Sequence, residues 1–120
     1  MIHLMAGVCF WVIALALSAE PIDFNRDIRP ILSNYCYECH GPDSKQRKAG
    51  LRLDEGQGSQ MELKSGVRAV VPGNLEESEL IYRITTLDAD ERMPPKDFNK
   101  QLSEGQIKLL KEWIKQGGNY

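Results

Sequence analysis

Residues 36–40 read Cys-Tyr-Glu-Cys-His, the C-x-x-C-H pattern that attaches a c-type haem. The two thiols lie about one helical turn apart, so each can add to one vinyl group of the haem. The histidine that directly follows supplies a neutral imidazole nitrogen to the iron. The pattern therefore predicts one covalent haem per chain, with Cys36 and Cys39 as thioether sites and His40 as the proximal iron ligand.

Other uses of these residues fit the chain less well. A structural zinc site needs four Cys or His ligands. The chain has 3 Cys and 2 His, and two of these, His3 and Cys9, lie in an N-terminal segment predicted to be removed. A thioredoxin-type C-x-x-C belongs in a βαβ unit, a pattern absent from the surrounding sequence. A disulfide between Cys36 and Cys39 leaves the histidine without a role, and it stays open as an alternative.

The sixth iron ligand is predicted from the methionines. Residues 20–120 contain only Met61 and Met93, and no histidine besides His40. Pro94 and Pro95 follow Met93 and would stiffen a non-helical loop, whereas Met61 follows a glycine-rich stretch. We therefore predict Met93 as the distal ligand, which is typical of electron-transfer cytochromes. The alternative is an open sixth site, as in a haem enzyme or a gas-sensing domain.

Charge restricts the partners. The formal net charge of −2 argues against a nucleic-acid partner. Five basic side chains are candidates for pairing with haem propionates or for docking an acidic redox partner. They are Lys45, Arg47, Lys48, Arg52 and Arg92. For Lys45, Arg47 and Lys48 the competing interpretation is an ordinary solvated loop.

Residues 1–19 carry no Asp, Glu, Lys or Arg, and from Leu4 to Leu17 they are almost wholly apolar. This run is shorter than the ~20 apolar residues of a transmembrane helix. Small residues follow it, so it resembles a secretory signal peptide cleaved after Ser18 or Ala19. The n-region lacks Lys and Arg, which leaves an uncleaved membrane anchor as the alternative. Export to the periplasm, or to an equivalent extracytoplasmic compartment, agrees with the haem pattern.

Residues 20–120 are predicted to form one domain. A helical stripe of apolar side chains opens it, with Asp23 or Asn25 as the cap and Pro30 kinking the helix or delaying its regular part. The stripe consists of Phe24, Ile28, Ile31, Leu32 and Tyr35.

Two further helices are predicted. Asn74 and Glu77 form a capping pair before the apolar positions of the first, and Ser103 and Gln106 form a capping box before the second, which ends at Gly117. Their apolar positions are Leu80, Ile81 and Ile84, and Ile107, Leu109, Leu110, Trp113 and Ile114.

Between the helices, residues 51–54 and 67–71 are predicted to be short extended segments. Residues 56–60 and 86–100 are predicted to be loops, the first of them flexible because of its Gly and Ser content. The pattern indicates a small all-α domain of about three helices around a covalent haem, with short extended segments.

The chain resembles the planctomycete-type cytochrome c domain over residues 22–120. The segments that carry the resemblance are FNRDIRPILS (24–33), CYECHGPD (36–43), GLRLD (50–54), VPG (71–73), SEL (78–80), RMPP (92–95) and the helix with Trp113 and Ile114. The resemblance implies a cytochrome-c-like fold, one covalent haem and electron transfer to unknown redox partner proteins outside the cytoplasm. It carries the same roles to Cys36, Cys39, His40 and Met93.

In this family such domains usually form the N-terminal part of longer exported proteins with large C-terminal domains. We therefore expect the chain to be a free-standing carrier, the product of a truncated gene, or a haem module that is a fragment of a larger protein. Residues 20–120 contain no spare histidine, no recognisable pair of catalytic carboxylates and no phosphate loop. We expect an electron carrier rather than a catalyst.

Overall fold

The computed structural model of the protein describes residues 7–12 and 20–120. Of the predicted signal peptide or anchor, residues 1–6 and 13–19 lie outside the described residues, and residues 7–12 are non-helical and exposed. Within the described ranges, no helix is both long enough and apolar enough to cross a membrane.

The opening helix starts with a π-helical turn, Phe24–Ile28, and continues as α1, Arg29–Tyr35. Asp23 is its N-cap, and the Asp23 carboxylate accepts a hydrogen bond from the backbone N–H of Arg26 at 2.9 Å. Pro30 lies in the first turn of α1, where its missing N–H removes no intrahelical hydrogen bond. The Asp23 cap is thus confirmed, as is the delayed start of the regular helix.

A short helix, α2, Tyr37–His40, follows α1 after Cys36 and carries the C-x-x-C-H pattern. The backbone N–H of His40 donates to the carbonyl oxygen of Cys36 at 2.8 Å. This single turn holds the two cysteines and the histidine at fixed spacing.

The predicted flexible loop at residues 56–60 is a short helix, α3, Gly56–Gln60, so that prediction is wrong. Gly58 and Ser59 are buried, and the Ser59 carbonyl accepts from the N–H of Val70 at 2.9 Å. A Cβ at Gly58 would lie 2.7 Å from the Cβ of Arg52. Close packing, which only a glycine permits here, fixes a backbone that composition alone suggested was mobile.

The second predicted helix is α4, Glu79–Thr85. The predicted pair before it forms, because the N–H of Glu77 donates to Asn74 Oδ1 at 3.1 Å. This bond caps a turn rather than the helix itself, which begins two residues later after Ser78.

The third predicted helix is α5, Glu104–Lys115. Its capping box is present: Ser103 Oγ accepts from the N–H of Gln106 at 3.2 Å, and Gln106 Oε1 accepts from the N–H of Ser103 at 2.9 Å. Gly117, at φ +115°, follows the end of the helix in a conformation that favours glycine.

The predicted extended segments, 51–54 and 67–71, are non-helical. Arg68 forms isolated β-bridges, antiparallel with Glu62 and parallel with Ser78. No β-strand occurs among residues 7–12 and 20–120. Over the described part of the chain the protein is therefore a small, mostly helical domain, as predicted.

The core lies where α5 packs against the opening helix and α4. Trp113 is 1% exposed, and its indole Nε1–H donates to the carbonyl of Asn119 at 2.8 Å. The buried apolar residues are Phe24, Ile28, Ile31, Leu32, Leu53, Ala69, Val70, Leu80, Ile81, Ile84, Leu110, Trp113 and Ile114.

Candidate functional site

A cavity of about 450 Å³ lies beside this core. Cys36, Cys39, His40 and Met93 all line it, so the structure brings the four predicted site residues to one place. The rest of the wall is mostly apolar, and its members include Leu51, Leu53, Leu63, Val67, Leu80 and Ile84. The cavity falls within the range of about 300–1,000 Å³ that is usual for sites of small molecules and cofactors.

The imidazole of His40 is oriented by the main chain. Its Nδ1 lies 3.2 Å from the carbonyl oxygen of Lys48. A carbonyl can only accept, so Nδ1 carries the proton and Nε2 keeps a free lone pair, as a metal ligand requires. Burial lowers the pKa of His40, although the bond to Lys48 opposes this shift. The ring is therefore uncharged at neutral pH, and its Nε2 can donate a lone pair to a metal.

The loop after His40 folds back onto α2, and its hydrogen bonds hold the Lys48 carbonyl beside the His40 ring. The N–H of Lys48 donates to the carbonyl of Cys39 at 2.6 Å, and the N–H of Leu53 donates to the carbonyl of His40 at 2.8 Å. A Cβ at Gly41 would overlap the carbonyl oxygen of Tyr37. Glycine at this position lets the chain turn immediately after the histidine.

Both thiols are free and half-buried. Burial, and to a smaller extent the neighbouring Cys39, raise the pKa of the Cys36 thiol to about 12. Cys36 is therefore a neutral thiol at neutral pH. Within residues 7–12 and 20–120, no group of three or more His, Cys, Asp or Glu side chains is arranged to hold a metal ion.

Met93 lies in the predicted loop between α4 and α5, and the Met93–Pro94 peptide bond is cis. Its N–H donates to the carbonyl of Arg83 at 2.9 Å, which ties the loop to the C-terminal end of α4. Pro94 and Pro95 line the same cavity. Met61, the rejected candidate, is 51% exposed and is not part of the cavity wall.

Of the five basic residues considered as propionate or partner contacts, only Lys48 lines the cavity. Arg47 donates to the carbonyls of Gly41 and Pro42 at 3.0 and 3.1 Å, and Arg52 pairs with Asp54 at 2.7 Å. These two guanidinium groups hold their own loops together.

Further site residues escaped the sequence reasoning. The Lys48 carbonyl acts through the main chain, which leaves no trace in side-chain type. Gly41 has no side chain, so its close approach to Tyr37 is visible only in the fold. Arg83 also lines the cavity, and its Nε donates to Glu79 Oε1 at 3.0 Å. The i, i+4 spacing of Glu79 and Arg83 on one helix was the available signal for this pair.

Comparison with known families agrees with this geometry. The family model described as planctomycete cytochrome C matches residues 36–97, just over half of the chain. The matched range contains Cys36, Cys39, His40 and Met93, whereas the opening helix and α5 lie outside it. No curated protein and no solved structure is significantly similar to the chain.

Proposed function

The chain belongs to the planctomycete cytochrome c family, and on that premise we propose that it binds one covalent haem and transfers single electrons outside the cytoplasm. The family indicates a haem-binding, electron-transfer domain. One observation supports the proposal of a single covalent haem that transfers electrons: the two thiols, the oriented imidazole and the loop methionine all line the same cavity.

The residues present fit a haem. The wall is mostly apolar, which suits a large flat macrocycle and keeps water from the iron. The chain supplies both thiols of the attachment pattern, and the two are not joined in a disulfide. It also supplies an imidazole whose Nε2 is free and a methionine thioether, the ligand pair of electron-transfer cytochromes c.

In this proposal Cys36 and Cys39 would anchor the group through thioether bonds, and His40 and Met93 would supply its iron ligands. When bound, the haem would supply a reversible one-electron couple. The Lys48 carbonyl fixes the tautomer and direction of the imidazole. Leu53 and Leu80, both buried, exclude water from the wall. Redox partner proteins would exchange the electron.

Export is part of the same proposal. Domains of the cytochrome c family are usually extracytoplasmic. Haem attachment requires reduced thiols on the far side of a membrane, and residues 1–19 have the composition of a signal peptide. Mass spectrometry of the exported protein tests both the removal of the signal peptide and the covalent attachment of haem. A mass that matches residues 20–120 or 19–120 plus one haem is expected, and a haem-free mass would contradict covalent attachment.

The test of the axial ligands is Met93→Ala, with Met61→Ala as the matched control. Loss of the thioether should lower the reduction potential and let the reduced protein bind carbon monoxide. It should also abolish the weak far-red sulfur-to-iron absorption band of the oxidised protein. Met61→Ala should leave all three properties unchanged, because this side chain is exposed and outside the cavity wall.

Two results would contradict the assignment. Wild-type protein that binds carbon monoxide and lacks the far-red band has an open sixth site, as in a haem enzyme or gas sensor. An unchanged potential in Met93→Ala removes Met93 from the iron.

A further inference from the structure

We propose that Arg83 is a positioning residue that holds Met93 at the iron, an inference that rests on the proposed function. Arg83 lies on α4 and contacts the loop that carries Met93 in two ways. Its carbonyl oxygen accepts the N–H of Met93 at 2.9 Å, and its guanidinium Nη1 donates to the carbonyl of Glu91 at 3.3 Å.

The first contact follows from the end of the helix. The last four carbonyls of an α-helix have no partner within the helix. In α4, which ends at Thr85, the Arg83 carbonyl is one of them. The N–H of Met93 satisfies it, so the helix terminus fixes the backbone of the predicted ligand directly.

The second contact depends on the side chain. Arg83 Nε donates to Glu79 Oε1 at 3.0 Å, one helical turn earlier. This bond orients the planar guanidinium, so that a different nitrogen, Nη1, reaches the carbonyl of Glu91. The two donors lie at fixed geometry within one guanidinium, and a lysine ammonium cannot reproduce that fork.

Other contacts show that the loop is held from α4. The Tyr82 hydroxyl donates to the Glu91 carboxylate, beside the bond from Arg83. Arg83 and Glu79 both line the cavity together with Met93, so they lie within the site. Releasing the Arg83 guanidinium should loosen the loop while leaving the covalent haem and His40 in place.

The experiment measures how readily a small ligand replaces Met93 in the oxidised haem protein. Imidazole is titrated into wild type, Arg83→Met, Arg83→Lys and Arg68→Met, with loss of the far-red band as the signal. The apparent imidazole affinity increases with the fraction of protein in which Met93 is detached. Loss of a charge-assisted hydrogen bond should raise that fraction, and the affinity, roughly tenfold in Arg83→Met.

Arg68→Met is the matched control. Arg68 is exposed, and its Nη1 also donates to a backbone carbonyl, that of Gln60 at 3.2 Å, but Arg68 is not part of the cavity wall. It should stay within about twofold of wild type. Arg83→Lys, which keeps the charge beside Glu79 but loses the fork, should fall between wild type and Arg83→Met.

Denaturant unfolding followed by circular dichroism separates positioning from general stability. Detachment of Met93 should precede loss of helix in Arg83→Met, and the two should coincide in wild type. An unchanged imidazole affinity in Arg83→Met, with the far-red band present in wild type, overturns the role of Arg83 alone. A wild type without that band overturns Met93 ligation and this inference together.

Discussion

Replacement of glycine by alanine should lower the free energy of unfolding at Gly58 and raise it at Gly105, although both glycines lie in helices. Gly58 is buried in α3, where a Cβ would lie 2.7 Å from Arg52 Cβ and 2.9 Å from the Arg52 carbonyl oxygen. Ordinary contacts between carbon atoms are about 3.5–4.0 Å. Gly105 is exposed in the first turn of α5, and a Cβ there would meet only Ser103 Oγ, at 3.9 Å.

The neighbours of Gly58 cannot move away cheaply. The nearest atoms of Arg52 belong to its backbone or are bonded to it, and its guanidinium is held by Asp54 at 3.1 and 2.7 Å. The next residue, Leu53, is 1% exposed and donates its N–H to the carbonyl of His40. Relief of the clash must shift α3 or disturb a segment that supports the site.

The expected magnitudes follow from these contacts. Overpacking a well-packed interior costs about 1–3 kcal/mol. Replacing glycine by alanine within a helix returns up to about 1 kcal/mol. Because a Cβ at Gly58 would lie only 2.7 Å from Arg52 Cβ, the upper part of that cost, about 2–3 kcal/mol, applies there. After the helical gain of about 1 kcal/mol, Gly58→Ala should lower the free energy of unfolding by about 1–2 kcal/mol. Gly105→Ala should raise it by about 0.4–1 kcal/mol, because it restricts the unfolded chain without a clash.

Guanidinium chloride unfolding of the haem protein, followed by circular dichroism, measures both variants against wild type. Equal slopes for the three proteins establish that the midpoints report stability. A Gly58→Ala variant as stable as wild type, beside a stabilised Gly105→Ala, would refute the reasoning about close packing at α3.

Two further predictions concern helix ends. Ser103→Ala removes the side-chain half of the α5 capping box and should lower the free energy of unfolding by about 1 kcal/mol; an exposed Ser44→Ala change serves as control. The hydrogen bonds from Arg26 and from the N–H of Asp23 lower the pKa of Asp27 from its ordinary 3.8 to about 2. Because the folded pKa is the lower one, ionised Asp27 contributes stability above pH 3.8 that is lost as the pH falls toward 2. Asp27→Asn should therefore reduce the loss of stability between pH 4 and pH 2, as measured by urea unfolding at each pH, and an unchanged acid dependence would contradict this role.

The three main helices were predictable because their apolar side chains recur at helical spacing. Phe24, Ile28, Ile31 and Leu32 are the residues that the opening helix buries, each at most 5% exposed. This periodicity shows which face of the helix packs against the core, so it can be recognised in the sequence alone. The caps at Asp23 and Ser103 were equally visible, because a local hydrogen bond depends on residues three apart.

The helix α3 was not predictable by the same reasoning. It has no apolar stripe, and two of its five residues are glycines. It is held by contacts with residues distant in sequence, such as the bond from Val70 to Ser59 and the approach of Arg52 to Gly58. Composition describes what a segment prefers alone, and here tertiary packing overrides that preference.

The candidate site divides in the same way. Spacing identified Cys36, Cys39 and His40, and the scarcity of other ligands pointed to Met93. The supports of these residues were missed, because the Lys48 carbonyl belongs to the main chain and Arg83 acts through the fold. The types and spacing of the site side chains can be read from the sequence. How those side chains are oriented depends on which distant segments of the chain contact them in the fold.

The size of the cavity bears on how such a small domain stays folded. The cavity, about 450 Å³ in volume, is partly open, so its mostly apolar wall meets water when nothing fills it. Contact of an apolar surface with water costs free energy roughly in proportion to the area exposed. Filling that space with an apolar group, which the proposed haem would do, would remove this contact. A site of this kind would therefore make the cofactor part of the hydrophobic core, so the same residues that tune the iron would also hold the fold together.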